Sequence, residues 1–388
     1  MKPRRPLVFG VLGLLLLLGA CGGDPAPASL DPNAAATQAV ATLYAGLTQT
    51  AQALVPTSTP TAAPTAVRTP PALPLPYPAA GYLNPLDTPH TYIEDACQYL
   101  RARWTSTNAA PGTVVMVIMF HSIVAPGGEA SDYNQIEAGR FDILMRDLHE
   151  QNFVAITTAQ LADFLETNAY IPPRSVLLVV DDRHYAQYFD TYFRPYYEQW
   201  GWPVVNSWIS LNDAIGAAAL PENIALSQEG WVDYQAHGVV HNTPISESVS
   251  EEYMLGELQG SWDAIAANFG RPPIAYIWPG GGFTPRAAEL ARQVGYRLGF
   301  TVNPRGPLMF NWIPLADAAD PMRPSYLPEG AVGDPLMVLP RYWAPDADLQ
   351  IDNVRVMGQE AAAYAEANRA VELEYYDIVC APLYGPIP

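Results

Sequence analysis

Two uninterrupted apolar segments that stop abruptly at reactive side chains constrain the fold of this chain most. The segment 114–120 (VVMVIMF) is followed directly by His121. The segment 175–180 (SVLLVV), which is apolar from Val176 onward, is followed by Asp181 and Asp182. Continuous apolar strands are typical of a parallel sheet that is covered on both faces. In such sheets the ligand site gathers at the carboxyl ends of the strands, so these three polar residues are the first candidates for chemistry.

Strand-like and helix-like segments alternate between residues 113 and 303. Phe141, Leu144 and Leu148 recur at helical spacing, residues 153–156 form a short strand-like run, and residues 158–165 predict a second helix. This alternation predicts an α/β domain with a parallel sheet, either open or closed into a barrel. The less regular tail, with a helix predicted over 358–370, is assigned to the same domain.

The charge balance restricts the partners of the chain. There are 39 acidic and 20 basic residues among 388, a net charge of -19. Nucleic acid is excluded as a partner, because its phosphates require Lys and Arg. Three cysteines are too few for a disulfide scaffold or a Cys-rich zinc module. The apolar fraction of 49% is sufficient for a large buried core.

The N-terminus has the features of an export signal. Basic residues precede an apolar run over 7–18 that ends in Gly19-Ala20-Cys21. The end of this run resembles a bacterial lipobox, which implies a signal peptide over 1–20 and a lipid on Cys21. The alternative is an ordinary secretory signal that leaves Cys21 as a spare thiol. We expect an exported protein, anchored by its lipid on the extracytoplasmic face of a bacterial membrane and touching the membrane only there.

Residues 21–90 are rich in Pro, Thr and Ala and are predicted to be a disordered linker. Apolar residues at helical spacing predict a stalk helix over 33–54 within it. The folded domain is predicted over 91–388, beginning near Tyr92. Cys97 and Cys380 lie near its two ends, and in an exported protein a disulfide between them is favoured over two buried free thiols.

Two pairs of residues carry the chemistry that the sequence indicates. If the strand geometry persists, Asp181 and Asp182 point in different directions, so one could bind a metal while the other acts as a base. The alternative is a turn or a helix cap, where Asp is common. His237 and His241 are four apart, which places both on one face of a helical turn and suits zinc. The alternative there is one buried structural His and one surface His.

Several motifs then resemble the polysaccharide deacetylase family (NodB homology, carbohydrate esterase family 4). Residues 179–183 (VVDDR) resemble its T-F-D-D-G motif, and 237–241 (HGVVH) resemble H-[ST]-x-x-H. Residues 276–281 (YIWPGG) resemble the groove motif. Residues 119–123 (MFHSI) resemble the opening motif of the circularly permuted poly-N-acetylglucosamine deacetylases. The resemblance spans about residues 113–303 and implies a single catalytic domain with a distorted (β/α)7-type barrel.

The resemblance also implies roles for residues. Asp181 would be the general base, His121 the catalytic acid, and Asp182, His237 and His241 the ligands of one divalent metal ion. Zn²⁺ is the expected metal, although Co²⁺ and Ni²⁺ suit the same ligands. The expected residues of the substrate groove are Arg183, Tyr276, Trp278, Pro279, Gly280 and Arg341.

Three departures from the family pattern accompany this match. Arg183 replaces a Gly, and it could pair with Asp181 or bind an anionic substituent of a sugar. Gly238 replaces the Ser or Thr of the His motif, which removes a hydroxyl that could brace the loop. The Arg that normally precedes the groove motif is absent, and Arg341 is the candidate for an equivalent cation.

The combined expectation is a metal-dependent hydrolase, monomeric and lipid-anchored, that removes N-acetyl groups from a cell-surface or extracellular glycan. Removal of O-acetyl groups would use the same residues. The alternative is a catalytically silent carbohydrate-binding lipoprotein that retains the deacetylase fold.

Overall fold

A computed structural model describes residues 32–53, 68–78 and 81–388. The chain divides into two compact units at Val67 and Arg68. In the first unit, helix α1 (Pro32–Ala53) lies where the stalk helix is predicted. The signal peptide, Cys21 and part of the predicted linker lie outside the described residues. Within the described part of the chain, no helix combines the length and apolar character needed to cross a membrane.

The second unit, Arg68–Pro388, contains a curled parallel sheet. Its strands are β1 (Asp87–His90), β2 (Val114–Phe120), β3 (Ser122–Val124), β4 (Gln135–Glu137), β5 (Val154–Ala155), β6 (Arg174–Val180), β7 (Val204–Trp208), β8 (Val232–Ala236), β9 (Ala275–Ile277), β10 (Leu298–Phe300), β11 (Ile313–Ala316) and β12 (Tyr342–Trp343). The main sheet has the order β10-β9-β8-β7-β6-β2-β12, and β5 also pairs with β6. Two small separate sheets pair β1 with β11 and β3 with β4.

Helices follow most of the strands. They are α2 (Ala96–Trp104), α3 (Ala138–Glu150), α4 (Thr158–Thr167), α5 (Ala186–Tyr192), α6 (Arg194–Trp200), α7 (Ala214–Gln228), α8 (Glu251–Phe269), α9 (Pro285–Val294), α10 (Ala344–Ala347), α11 (Ile351–Tyr375) and α12 (Ala381–Tyr384). The predicted helix over 358–370 is the central part of α11. Helix α4 begins with a capping box in which Thr157 and Gln160 exchange hydrogen bonds, which explains why it starts there.

One short segment connects the two edges of the curled sheet. Leu339 pairs in parallel with Phe300 of β10. A few residues later, Tyr342 of β12 pairs in parallel with Ile118 of β2. The α/β class and the distorted barrel of the NodB-homology kind are therefore confirmed.

The two apolar segments of the sequence are adjacent strands. All of β2 is buried, and β6 is buried except for Arg174. They pair in parallel, with Phe120 opposite Val180. Burying each large aliphatic or aromatic side chain contributes about 1.5–3 kcal/mol, which makes these strands the centre of the core. Because β2 and β6 end level with each other, the residues that follow them emerge side by side.

The folded unit begins before the predicted start at Tyr92. The side chain of Tyr77 is buried and its ring lies 5.8 Å from that of Trp312. Strand β1 pairs with β11, and the buried Asp87 forms an ion pair with Arg305 at 3.0 Å. The predicted linker therefore includes residues that pack on the domain. Short segments of this kind have no periodicity of their own, so the sequence does not reveal them.

The two cysteines near the ends of the domain form a disulfide. Cys97, in α2, is bonded to Cys380, and their Cα atoms are 5.3 Å apart. The bond joins the first helix of the second unit to the last turns of the chain.

Candidate active site

A pocket of about 400 Å³ opens at the carboxyl ends of the parallel strands. Its position agrees with the rule that ligands bind at this end of an α/β sheet. It brings together the predicted base, acid and metal ligands. The residues that line it are His121, Asn134, Asp181, Asp182, His237, His241, Gly280, Val302, Ser325, Tyr326 and Trp343.

Asp181 lies at the floor of the pocket, 1% exposed. Its backbone N–H donates to the carbonyl of Phe120 at 2.7 Å, which continues the β2–β6 ladder beyond both strands. Arg341 donates two hydrogen bonds to the carboxylate, from Nη1 to Oδ1 at 2.7 Å and from Nη2 to Oδ2 at 2.9 Å. The hydroxyl of Ser207 donates to Oδ1 at 3.0 Å. Arg341, the candidate cation, therefore contacts the predicted base directly. It is 0% exposed and does not line the pocket, so the prediction that it belongs to the substrate groove is wrong.

These contacts decide the ionisation of Asp181. Burial by itself would raise the pKa of this carboxyl, because it disfavours the charged form. The charge of Arg341, with smaller contributions from His237 and His121, outweighs burial and places the pKa well below its ordinary value of 3.8. Asp181 is thus a carboxylate at neutral pH.

His121 directly follows β2 and lies next to Asp181. Its Nε2 is 3.8 Å from Asp181 Oδ2, and 18% of its side chain is exposed toward the pocket. The imidazole lies parallel to the indole of Trp343, with ring centroids 5.6 Å apart and an interplanar angle of 8°. Trp343 is itself fixed, because its Nε1 donates to the carbonyl of Val302 at 2.9 Å. The ring of His121 therefore has a defined orientation at the pocket wall.

Asp182, His237 and His241 form a cluster of potential metal ligands. One donor atom from each residue lies within 4.8 Å of the other two. Asp182 Oδ1 is 3.3 Å from His241 Nε2 and 3.8 Å from His237 Nε2. Two imidazole nitrogens and one carboxylate oxygen match the ligand set of open, catalytic zinc sites. The residues present therefore fit a divalent ion.

The environment of His237 prepares it for this role. Its Nδ1 donates to the carbonyl of Ile277 at 2.8 Å, since a carbonyl oxygen can only accept. This bond places the proton on Nδ1 and leaves the lone pair of Nε2 directed at Asp182. Burial lowers the pKa of His237 to about 4, so the ring is neutral at neutral pH. A neutral imidazole held by a backbone carbonyl is the usual state of a metal-binding His.

The two histidines lie on a loop and not on a helical turn, so that prediction is wrong. Strand β8 ends at Ala236, and Gly238 has a φ of 74°, which turns the chain out of the strand direction. His241 has a φ of 65°, and Asp182 has a φ of 71°. Non-glycine residues seldom adopt this left-handed conformation, and such residues concentrate at functional sites. Two of the three candidate ligands are held in it.

Arg183 does not occupy the predicted groove position. Its guanidinium turns away from the pocket and donates to both carboxylate oxygens of Asp213, at 2.6 and 2.9 Å. It also donates to the carbonyl of Leu211 at 2.9 Å. The prediction that Arg183 pairs with Asp181 is therefore wrong, and its contact with a substrate stays a prediction. Arg183 has a structural role, because it connects the loop after β6 with the start of α7.

The groove motif is also mostly internal. Tyr276 and Trp278 are fully buried, and Trp278 Nε1 donates to the carbonyl of Met337 at 2.8 Å. Pro279 is buried as well, whereas Gly280 lines the pocket. The prediction that Tyr276, Trp278 and Pro279 face a substrate is wrong, because β9 is an interior strand and its end packs under the pocket. Gly280 is the member of this motif that a ligand can reach.

Several residues of the pocket were not predicted from the sequence. Asn134 comes from the loop before β4, and Ser325 and Tyr326 come from the long connection after β11. Ser207, at the end of β7, was also missed although it contacts Asp181. None of these residues belongs to a motif with recognisable spacing. Only the position of Ser207 near a strand end offered any signal.

Comparison with known proteins matches part of the chain to a family model. Residues 172–299 match the family model described as polysaccharide deacetylase. This segment runs from β6 to β10 and contains the carboxylate pair and both loop histidines, while His121 and Arg341 lie outside it. The resemblance to the polysaccharide deacetylases is confirmed. With it, the prediction of a hydrolase of the polysaccharide N-deacetylase type, acting on an acetylated glycan, is confirmed at this general level.

Solved structures of deacetylases also align with the chain. The Streptococcus pyogenes deacetylase PplD, in complex with acetate, is 18% identical, with 60% of this chain and 92% of that chain covered and a TM-score of 0.47. A de-N-acetylase from Aggregatibacter actinomycetemcomitans is 16% identical, with 62% and 99% covered and a TM-score of 0.48. IcaB from Ammonifex degensii is 16% identical, with 64% and 98% covered and a TM-score of 0.46. No curated protein matches the chain.

Proposed function

We propose that this polysaccharide deacetylase is a zinc-dependent enzyme that removes N-acetyl groups from a cell-surface or extracellular glycan. The observation that carries the proposal is that one pocket contains two sets of potentially catalytic side chains. A cluster of three potential metal ligands lies on one side, and a carboxylate with a neighbouring histidine lies on the other. In a metal-assisted hydrolysis of an amide, these groups would act together on the same atoms.

The metal-binding half would consist of Asp182, His237 and His241. When bound there, a divalent ion supplies Lewis acidity, which polarises the acetyl carbonyl and makes water a better nucleophile. The protein's contribution is to hold two imidazoles and one carboxylate close together before the ion arrives. Zn²⁺ suits this ligand set best, and Co²⁺ and Ni²⁺ fit the same donors.

Asp181 would accept the proton of the attacking water. Arg341 fixes the plane of its carboxylate with two hydrogen bonds and keeps it ionised, which is the state that can accept a proton. The same contacts lower the basicity of Asp181, so proton transfer to it is favourable only from a water that is already acidified. Arg341 thus positions the base and also sets its strength.

His121 would donate a proton to the amine that leaves. Its Nε2 lies on the pocket side of Asp181, and stacking on Trp343 holds the ring in place. A positioned acid of this kind typically contributes about 10²–10⁴-fold to the rate. Because an amine leaves poorly as an anion, the proton must arrive as the C–N bond breaks.

The walls of the pocket favour a sugar. Trp343 and Tyr326 provide aromatic faces, and Asn134 and Ser325 provide amide and hydroxyl groups. Such a combination suits a neutral glycan, which has apolar ring faces and many hydroxyls. The acidic balance of the chain also suits a substrate whose deacetylated product is a cation. Removal of O-acetyl groups would use the same residues.

We further propose that the chain works outside the cytoplasm, tethered through a lipid on Cys21. The export signal over 1–20 and the Pro-rich segment that follows support this location. Replacing Cys21 with Ala is expected to move the full-length protein from the membrane fraction to the soluble fraction. Unchanged membrane association would contradict the lipid anchor.

The catalytic proposal is tested by acetate release. Metal-free protein is supplied with one equivalent of Zn²⁺ and incubated with an N-acetylglucosamine oligomer, and acetate is measured. We expect release by the wild type, loss of release in His237→Ala, and unchanged release in His90→Ala. His90 is a matched control because it pairs with Asp317 outside the pocket. Binding of the glycan without any acetate release would instead support the silent carbohydrate-binding alternative.

A further inference from the structure

Helix α8 lies against the loop that carries His237 and His241, and two of its side chains hold that loop. Near the start of the helix, Tyr253 donates its hydroxyl to the carbonyl of Thr243 at 3.0 Å. One turn later, Glu257 accepts hydrogen bonds from backbone N–H groups inside the loop. The helix therefore contacts the loop both within the histidine pair and just after it.

The carboxylate of Glu257 is an unusual feature of this contact, because the residue is only 3% exposed. Its Oε2 accepts from the N–H of Val239 at 2.8 Å and from that of Val240 at 3.2 Å. Its Oε1 accepts from Val240 at 2.9 Å. In the described part of the chain no cationic side chain forms an ion pair with it. Burying a carboxylate is costly unless such bonds compensate, so this contact stabilises one conformation of the loop.

Gly238 makes room for this carboxylate. A Cβ at position 238 would lie 2.5 Å from Oε2 of Glu257, 3.2 Å from the hydroxyl of Tyr276 and 3.3 Å from Cγ of Pro279. The φ of 74° at Gly238 is also one that side chains disfavour. Glu257 thus fits beside the loop only because residue 238 has no side chain. In the family's His motif a Ser or Thr hydroxyl stands at this position, whereas here the carboxylate of Glu257, from helix α8, lies beside it.

We propose that Glu257 is a positioning residue for the metal ligands. By fixing the N–H groups of Val239 and Val240, it holds the residues between the two histidines so that both imidazoles face Asp182. This inference rests on the proposed metal-dependent function. Glu257 touches neither the ion nor a substrate, and it acts through the backbone of the ligand loop.

The test is the zinc affinity of the full chain, measured by isothermal titration calorimetry after chelator treatment. We expect Glu257→Ala to weaken Zn²⁺ binding about 10-fold or more, as removal of residues that orient metal ligands typically does. Glu257→Gln keeps one acceptor oxygen and is expected to lose less. Ile265→Ala is the matched control, because Ile265 is fully buried on the same helix two turns beyond Glu257. It should lower the melting temperature of the metal-free protein without weakening zinc binding.

Co²⁺ substitution gives a second measurement, which a general loss of protein stability does not alter. The visible absorption of the Co²⁺ protein reports ligand geometry and is expected to change in Glu257→Ala but not in Ile265→Ala. The proposal is overturned if Glu257→Ala binds zinc within about twofold of the wild type, or if Ile265→Ala weakens binding equally. If the wild type itself takes up no zinc, the proposed function fails and this role for Glu257 fails with it.

Discussion

Replacing Arg341 with Met removes the cation that holds both oxygens of Asp181. The pair is fully buried, with contacts of 2.7 and 2.9 Å. Removing one partner of a buried, hydrogen-bonded ion pair typically costs about 3–5 kcal/mol, because the other charge is left without compensation. We therefore expect Arg341→Met to lower the free energy of unfolding by about 3–5 kcal/mol at neutral pH.

The pH dependence of this loss identifies its cause. In the wild type the pKa of Asp181 is lowered in the folded state. The stabilisation that its charged form contributes is therefore fully present above about pH 3.8, the unfolded-state value, and is lost as the pH falls through the folded-state pKa. Without Arg341, burial raises the pKa of Asp181 above that of the unfolded chain. The stability of the variant then falls as pH rises past about 4, by up to about 1.4 kcal/mol per pH unit. A loss of about 3 kcal/mol thus accumulates over roughly two pH units.

The assay is urea unfolding of metal-free protein, followed by circular dichroism between about pH 4 and pH 7. The difference between wild type and Arg341→Met should be smallest at the acidic end and largest at neutral pH. Arg183→Met is the matched control, since Arg183 makes the same two-bond contact with Asp213 at a partly exposed site. It should lose much less, with little change over this range. A loss in Arg341→Met that is independent of pH would refute the electrostatic reasoning.

Four further predictions concern other parts of the molecule. Replacing Cys97 and Cys380 with Ser should lower the free energy of unfolding by about 2–5 kcal/mol in chemical denaturation, and equal stability would contradict a structural role for the bond. His121→Ala should reduce kcat by about 10²–10⁴-fold in the acetate assay with zinc affinity unchanged, whereas a parallel loss of zinc would place His121 in the metal site. Trp343→Leu should reduce kcat less than His121→Ala does, and full activity would show that stacking does not orient the acid. Chelation should lower the melting temperature of the zinc-loaded protein, since a ligand at 100 times its Kd stabilises by about 2.7 kcal/mol, and an unchanged value would argue against a bound ion.

The features that the sequence predicted well are those with strong local patterns. The strand over 114–120 agrees with β2 residue for residue, because every position is apolar and the next residue is His121. The convergence of Asp182, His237 and His241 also followed from motif order together with the geometry of a parallel sheet. In these cases each motif is contained within a few consecutive residues, and the geometry of a parallel sheet brings the motifs together.

The features that the sequence did not predict depend on contacts between distant segments. The pairing of Asp181 with Arg341 joins residues 160 positions apart, whereas the sequence suggested Arg183 as a partner of Asp181. Arg183 instead pairs with Asp213, a carboxylate within its reach. The loop conformation at 237–241 depends on Glu257, which reads in the sequence as an ordinary acidic residue of a helix. The partners of these charged side chains are therefore known only from the folded structure.

The central claim is that Asp182, His237 and His241 hold one catalytic metal ion in this pocket. Zinc X-ray absorption of the zinc-loaded wild type tests it most directly, because the method reports ligand types and distances at the metal. We predict one zinc per chain with two imidazoles and one carboxylate at about 2.0–2.2 Å, and loss of stoichiometric zinc in His237→Ala. Zinc that binds without imidazole ligands, or that binds equally to His237→Ala, would contradict the account.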